Sequence, residues 1–84
     1  MLPPSPSARW ILYSRSECHL CDYAANILSA LEADFVQVDI DSKSSLVERY
    51  GLRVPVIADR AGMRELYFPF EPEDVAAFIA TRPE

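Results

Sequence analysis

Two cysteines separated by two residues, Cys18-His19-Leu20-Cys21, stand where a short apolar run, Trp10 to Tyr13, gives way to a segment with helical periodicity. That junction constrains the chain more than any other feature. A thiol in the first turn of a helix faces backbone N–H groups without helical partners and the positive end of the helix dipole. Both favour thiolate over thiol, and thiolate is the form that attacks a disulfide. At this spacing the two sulfurs lie about one helical turn apart, so they can close a small ring. The pair can therefore cycle between dithiol and disulfide.

The 84 residues make one domain, near the size at which a single core becomes marginal without unusually good packing. Residues 9–82 are expected to form it, and residues 1–8, rich in proline and serine, a flexible tail. That tail has neither the basic nor the apolar region of a secretory signal. Half the residues are hydrophobic and a quarter charged, an ordinary soluble composition. The apolar stretches are far shorter than the ~20 residues a membrane helix needs. With a net charge of −5 and its eight basic residues spread singly, the chain offers no basic stripe for a phosphate backbone. Neither nucleic acid nor membrane is expected as a partner. A disulfide across so short a loop would be a poor structural staple, so the expectation is a working dithiol in a reducing cytoplasm.

Arg9 to Tyr13 reads as a first, central strand. After the cysteines, Leu20, Ala24, Ile27, Leu28 and Leu31 share one face of a helix running to about Ala33. Phe35 to Ile40 is a second strand, parallel to the first across that helix. Asp41 and Ser42 are candidate caps for a short helix with Leu46, Val47 and Tyr50 inward, and Gly51 stands where a left-handed residue after the helix is wanted. Val54 to Ala58 is a third strand, with Pro55 marking a strand start or edge. A turn at Arg60-Ala61-Gly62 returns the chain as a fourth strand, Glu65 to Phe68. Pro72 opens a last helix with Val75, Phe78 and Ile79 as its apolar stripe and Arg82-Pro83 at its close. The order β-α-β-α-β-β-α implies an α/β fold with a mixed four-stranded sheet and helices on both faces.

With this element order, Tyr13-Ser14-Arg15-Ser16-Glu17-Cys18-His19-Leu20-Cys21 resembles the strand end and active-site loop of the glutaredoxin branch of the thioredoxin-like superfamily. Tyr50-Gly51-Leu52-Arg53-Val54-Pro55-Val56 resembles the segment that ends in its cis-proline. More narrowly, the short chain with Leu66-Tyr67-Phe68-Pro69-Phe70 after the hairpin is similar to a group of small bacterial glutaredoxin-like proteins.

The resemblance implies a thiol-disulfide oxidoreductase in which Cys18 attacks and Cys21, more buried, resolves. Arg15, three before Cys18, takes the place of a lysine near the thiolate; the residues alone also fit a solvated arginine. His19 takes the place of the dipeptide that tunes the redox potential, or is an ordinary exposed side chain. Val54 and Pro55 would align an extended thiol substrate through backbone hydrogen bonds, with Arg53 beside them. Glu17 and Asp22 raise the cost of a nearby thiolate, while the helix terminus and Arg15 lower it, so the Cys18 pKa is expected modestly below the free value of about 8.5. Haem attachment is disfavoured because Asp22, not histidine, follows Cys21. Tyr67, Phe68 and Phe70 are expected to pack in the core and its rim against the last helix, or else to form an exposed apolar patch for a protein partner.

The resemblance implies no bound cofactor or resident metal, glutathione as a candidate reductant, a disulfide-containing protein or low-molecular-weight thiol as partner, and a monomer. Two departures bear on glutathione. Arg53 stands where a small hydroxyl residue is usual, and Phe70-Glu71-Pro72-Glu73-Asp74 replaces a Gly-Gly turn with its acidic pair. The alternatives are an iron-sulfur or metal site shared across a dimer, or an interaction module that keeps the fold without turnover.

Overall fold

Aromatic and branched residues from Trp10 to Tyr13 extend into β1 (Trp10–Ser14), where Trp10, Leu12 and Ser14 are buried and Ile11 and Tyr13 half-buried on the opposite face. The computed structural model describes residues 8–60 and 63–80. After β1 come α1 (His19–Ala30), β2 (Phe35–Asp39), a 3-10 turn (Ile40–Ser42), α2 (Ser44–Tyr50), β3 (Val56–Asp59), β4 (Glu65–Tyr67) and α3 (Pro72–Ala80). The sheet order is β2-β1-β3-β4. β1 and β2 run parallel, joined by α1, and β1–β3 and β3–β4 are antiparallel. This is the mixed α/β sheet expected from the element order. Residues 1–7, Ala61 and Gly62 of the hairpin, and the helix end at Arg82-Pro83 lie outside the described residues. Ala8, grouped with the tail on composition, is fully buried.

The two sheet faces carry separate cores. Trp10 and Leu12 of β1 and Ile57 of β3 join Ala24, Ile27 and Leu28 of α1 with Phe70 and Val75 on one side. Val56, Ile40 and Tyr50 form the other, with Tyr13, Leu46 and Val54 packed against them. Tyr13 and Tyr50 stack there with ring centroids 4.4 Å apart. Each fully buried Leu, Ile or Val contributes about 1.5–3 kcal/mol over its exposed state. Phe70 is core, Phe68 is half-buried against it edge-on, and Tyr67 is exposed at the rim.

Several local expectations are corrected. The inner face of α1 is Cys21, Ala24, Ile27 and Leu28, whereas Leu20 and Leu31 are exposed. The apolar stripe is therefore rotated by one residue at its start, because Cys21 takes the inward position that Leu20 was expected to hold. β2 is an edge strand with much of its surface open, and Ile40 leaves it for the 3-10 turn. The side chain of Asp39 caps that turn by accepting from Asp41 N at 2.9 Å, while α2 has Lys43 at its N-cap and no side-chain cap bond. Gly51 is right-handed, φ −48°. It is glycine because a Cβ there would lie 2.6 Å from the Val47 carbonyl oxygen. Pro55 precedes β3, which starts at Val56 and is interior to the sheet rather than an edge.

α1 ends earlier than its periodicity suggests, in a closed terminal motif. Glu32 N donates to Ser29 O and Ala33 N to Leu28 O, both at 3.0 Å, with Glu32 in the left-handed region at φ 56°. A glutamate pays twice there, once in backbone conformation and once by placing negative charge at the negative end of the helix dipole. Glu32→Gly is expected to stabilise the fold by roughly 0.5–1 kcal/mol, read as a Tm rise of a few degrees in thermal melts.

On the α2 face, Glu65 accepts hydrogen bonds from the hydroxyls of Tyr50 and Tyr67 and pairs with Arg49 Nη2 at 3.5 Å. Burial opposes the carboxylate charge, but the two hydroxyls and the guanidinium outweigh it, so Glu65 titrates below its ordinary range. Burial and the bond to Glu65 push Tyr50 well above the usual phenol range; the Glu65 bond, then burial, raises Tyr67. A lowered carboxyl contributes stability that is present above its unfolded value of about 4.3 and is lost as pH falls through the folded one. A raised phenol contributes stability that is present below about 10 and is lost as pH rises through the folded value. Thermal melts across pH are expected to show a plateau with a decline on both sides, and Glu65→Gln a shallower acid limb.

Candidate functional site

The chain leaves β1 through a tight turn in which Glu17 adopts φ 56°. Cys18 follows as the N-cap of α1, extended at φ −113° and ψ 102°. Its Sγ accepts the Cys21 N–H at 3.1 Å, and its carbonyl accepts the Asp22 N–H at 3.1 Å. The sulfur thus sits against the donors that a helix leaves open at its start, where negative charge is favoured. One turn on, Cys21 is only 1% exposed, whereas Cys18 is half-buried. The two are joined as a disulfide with Cα atoms 5.2 Å apart. The arrangement offers one reachable sulfur and one shielded partner bonded to it.

The other residues singled out from sequence fall in three places. His19 opens α1 as an exposed side chain between the cysteines. Arg15 turns to the 3-10 turn and the end of α2: it binds Asp41 through Nη2 at 2.8 Å and Nε at 3.3 Å, and donates to the Gly51 carbonyl at 3.1 Å. The Arg15 hydrogen bond holds the Asp41 carboxyl below its ordinary range. These contacts make Arg15 a brace between the cysteine loop and the segment before β3. Arg53, Val54 and Pro55 form that segment: the Val54–Pro55 bond is cis, Pro55 is fully buried, and the Pro55 carbonyl accepts the Phe68 N–H at 3.3 Å.

Arg53 and Val54 line a groove of about 520 Å³ together with Leu20, Leu52, Tyr67 and Phe68. The Arg53 guanidinium lies 5.5 Å from the centre of the Tyr67 ring. Leu20, Leu52 and Tyr67 were not singled out from sequence as site residues. For Leu20 the signal was present, since one of two residues between paired cysteines on a helix must face outward when Cys21 faces inward. Leu52 is fully exposed, which its neighbours in sequence do not announce. Among the described residues no group of three or more His, Cys, Asp or Glu is placed to hold a metal ion. None of their helices is long and apolar enough to cross a membrane.

A family model described as "Glutaredoxin-like domain (DUF836)" matches residues 9–80. The crystal structure of protein XcR50 from X. campestris superposes with a TM-score of 0.80 at 43% identity, covering 88% of this chain and 99% of that one. The glutaredoxin from Archaeoglobus fulgidus, at 20% identity and 90% coverage of both chains, superposes with a TM-score of 0.71. Protein Ne2328 from Nitrosomonas europaea does so with the same score at 24% identity, covering 93% of this chain and 98% of that one. These last two likenesses concern the fold. No curated protein matches the chain.

Proposed function

The chain belongs to the glutaredoxin-like domain family, and from that premise we propose that it is a thiol-disulfide oxidoreductase acting through Cys18 and Cys21. One observation carries the reading: a half-buried sulfur at a helix N-cap, bonded to a shielded sulfur one turn further along. In the reduced protein the Cys18 thiolate attacks one sulfur of a substrate disulfide, forming a mixed disulfide and releasing the other substrate sulfur as thiolate. Cys21 then gives up its proton and attacks Cys18, releasing the second substrate thiolate and closing the internal disulfide. Two electrons and two protons pass from the dithiol to the substrate, which leaves as two thiols. A low-molecular-weight thiol such as glutathione, or a thioredoxin-reductase system, returns two electrons to the pair.

In this reading the protein works as a monomer in a reducing cytoplasm without a bound cofactor, and Val54 and Pro55 align the substrate backbone beside the bond. His19, beside the reactive sulfur, adjusts its potential, and Arg15 fixes the loop that presents it. The test supplies wild-type protein with glutathione or with a thioredoxin-reductase system as donor and follows a model disulfide. The expected result is turnover with at least one donor. Turnover with neither overturns the proposal.

A further inference from the structure

Three of the large apolar side chains that the fold leaves exposed, Leu20 (46%), Leu52 (102%) and Tyr67 (38%), meet in the groove with Phe68 and Val54. Leu20 lies on α1 between the two cysteines, so one wall of the groove belongs to the helical turn that carries the disulfide. Such a cluster on a small acidic domain is costly in water and is covered when a partner docks. Its one charge is cationic, Arg53, exposed and held over the Tyr67 ring. Around Tyr23 and the start of α3 the charge is instead negative. Tyr23, two residues after Cys21, is raised in pKa by burial and then by the charges of Glu71 and Glu73. The start of α3 carries its own anion, Asp74, whose carboxylate accepts the Glu71 N–H at 2.7 Å. A small thiol that reaches only the disulfide leaves most of the apolar groove empty.

Resting on the oxidoreductase reading above, we propose that the groove selects protein disulfides, binding an extended segment that carries an apolar side chain and a carboxylate next to its half-cystine. The apolar side chain covers Leu20, Leu52 and Phe68, and the carboxylate pairs with Arg53. Leu52 and Arg53 are thus specificity residues, acting on which disulfide reaches Cys18 rather than on the exchange itself.

The test uses the full reduced chain, quenched by thiol trapping and read by mass spectrometry, to measure oxidation by four probes. Two are capped cysteine-peptide disulfides, one with Leu and Asp flanking the cysteine and one with Ser and Lys; the others are glutathione disulfide and hydroxyethyl disulfide. The Leu/Asp peptide is expected to react about tenfold faster than the Ser/Lys peptide, as apolar burial and one charge pair allow, and faster than glutathione disulfide. Leu52→Ser is expected to shrink the ratio between the peptides and Arg53→Glu to invert its charge-dependent part. Equal peptide rates in the wild type, or a preference for glutathione disulfide, overturns the groove assignment while activity on hydroxyethyl disulfide leaves the oxidoreductase reading standing. A wild type inert toward all four probes overturns both. Sedimentation showing a dimer that Leu52→Ser dissociates would assign the groove to a second copy of the chain and overturn this assignment as well.

Discussion

Cys18→Ser is expected to lower disulfide turnover on the order of a thousandfold or more, because a serine hydroxyl is not ionised near neutral pH and does not exchange with sulfur. The loss is expected without loss of fold. Serine is a preferred N-cap residue, and its Oγ can accept the Cys21 N–H that Cys18 Sγ now takes at 3.1 Å. The reduced variant should therefore melt close to the reduced wild type. Cys21→Ser separates the two halves of the cycle. Cys18 remains reachable and still attacks, but nothing resolves the product, so a mixed disulfide accumulates on Cys18 and is read as an added mass in intact-protein mass spectrometry. The asymmetry follows from exposure: Cys21, at 1%, is closed to a bulky disulfide, while Cys18 is not. Retained turnover in Cys18→Ser, or an adduct trapped on Cys21 of that variant, would reverse the assigned roles.

Much of the fold that surrounds the cysteines is legible in the sequence. The strand-to-helix junction at the cysteines, the parallel crossover and the return hairpin all follow from local patterns of apolar residues and turn residues, which act over a few positions and survive in sequence. Where the structure departs from these patterns, the cause is how elements are oriented against one another. The period of α1 is satisfied by Leu20 or by Cys21 at its first inward position, and only the approach of the helix to the sheet decides for Cys21. β2 carries apolar Phe35, Val36 and Val38 as β1 carries Trp10, Ile11 and Leu12, so composition alone does not tell the edge strand from the interior one; the crossover sets that order. Glycine after a helix commonly marks a left-handed cap, whereas the constraint at Gly51 is a close backbone approach from Val47. The resemblance sets Arg15 near Cys18, and the residues alone also fit a solvated arginine; its partners, Asp41 and Gly51, come from segments whose placement needs the whole sheet. The Leu52 rim was invisible for the same reason.

The largest expected loss of stability belongs to a residue with no role in the chemistry. Asp59, at the end of β3 opposite Trp10, has a side chain with no solvent exposure. Its Oδ1 accepts from Arg9 Nε at 3.0 Å, and its Oδ2 accepts from Arg9 Nη2 at 3.2 Å and Arg64 Nη2 at 2.7 Å. One carboxylate thereby ties the chain entering β1 to the chain entering β4. The same guanidiniums lie 4.8 Å from the ring centres of Trp10 and Phe78, which themselves pack 5.5 Å apart, so the carboxylate also holds two cations over an aromatic pair of the core. Removing one partner of a buried ion pair costs about 3–5 kcal/mol. Both arginines are about a third exposed and regain some hydration, which lowers the expected cost of Asp59→Asn to roughly 2–4 kcal/mol. A domain of this size has about 4–13 kcal/mol in total, so the variant should unfold at a much lower urea concentration, with little rescue by added salt because the lost charge is buried. Asp59 stands at the end of the sheet where β1 begins, and Cys18 follows the end where β1 finishes. Below its melting transition, Asp59→Asn should therefore keep the disulfide exchange rate of the wild type. An unchanged urea midpoint would mean that the two arginines contribute to the fold through Trp10 and Phe78 alone.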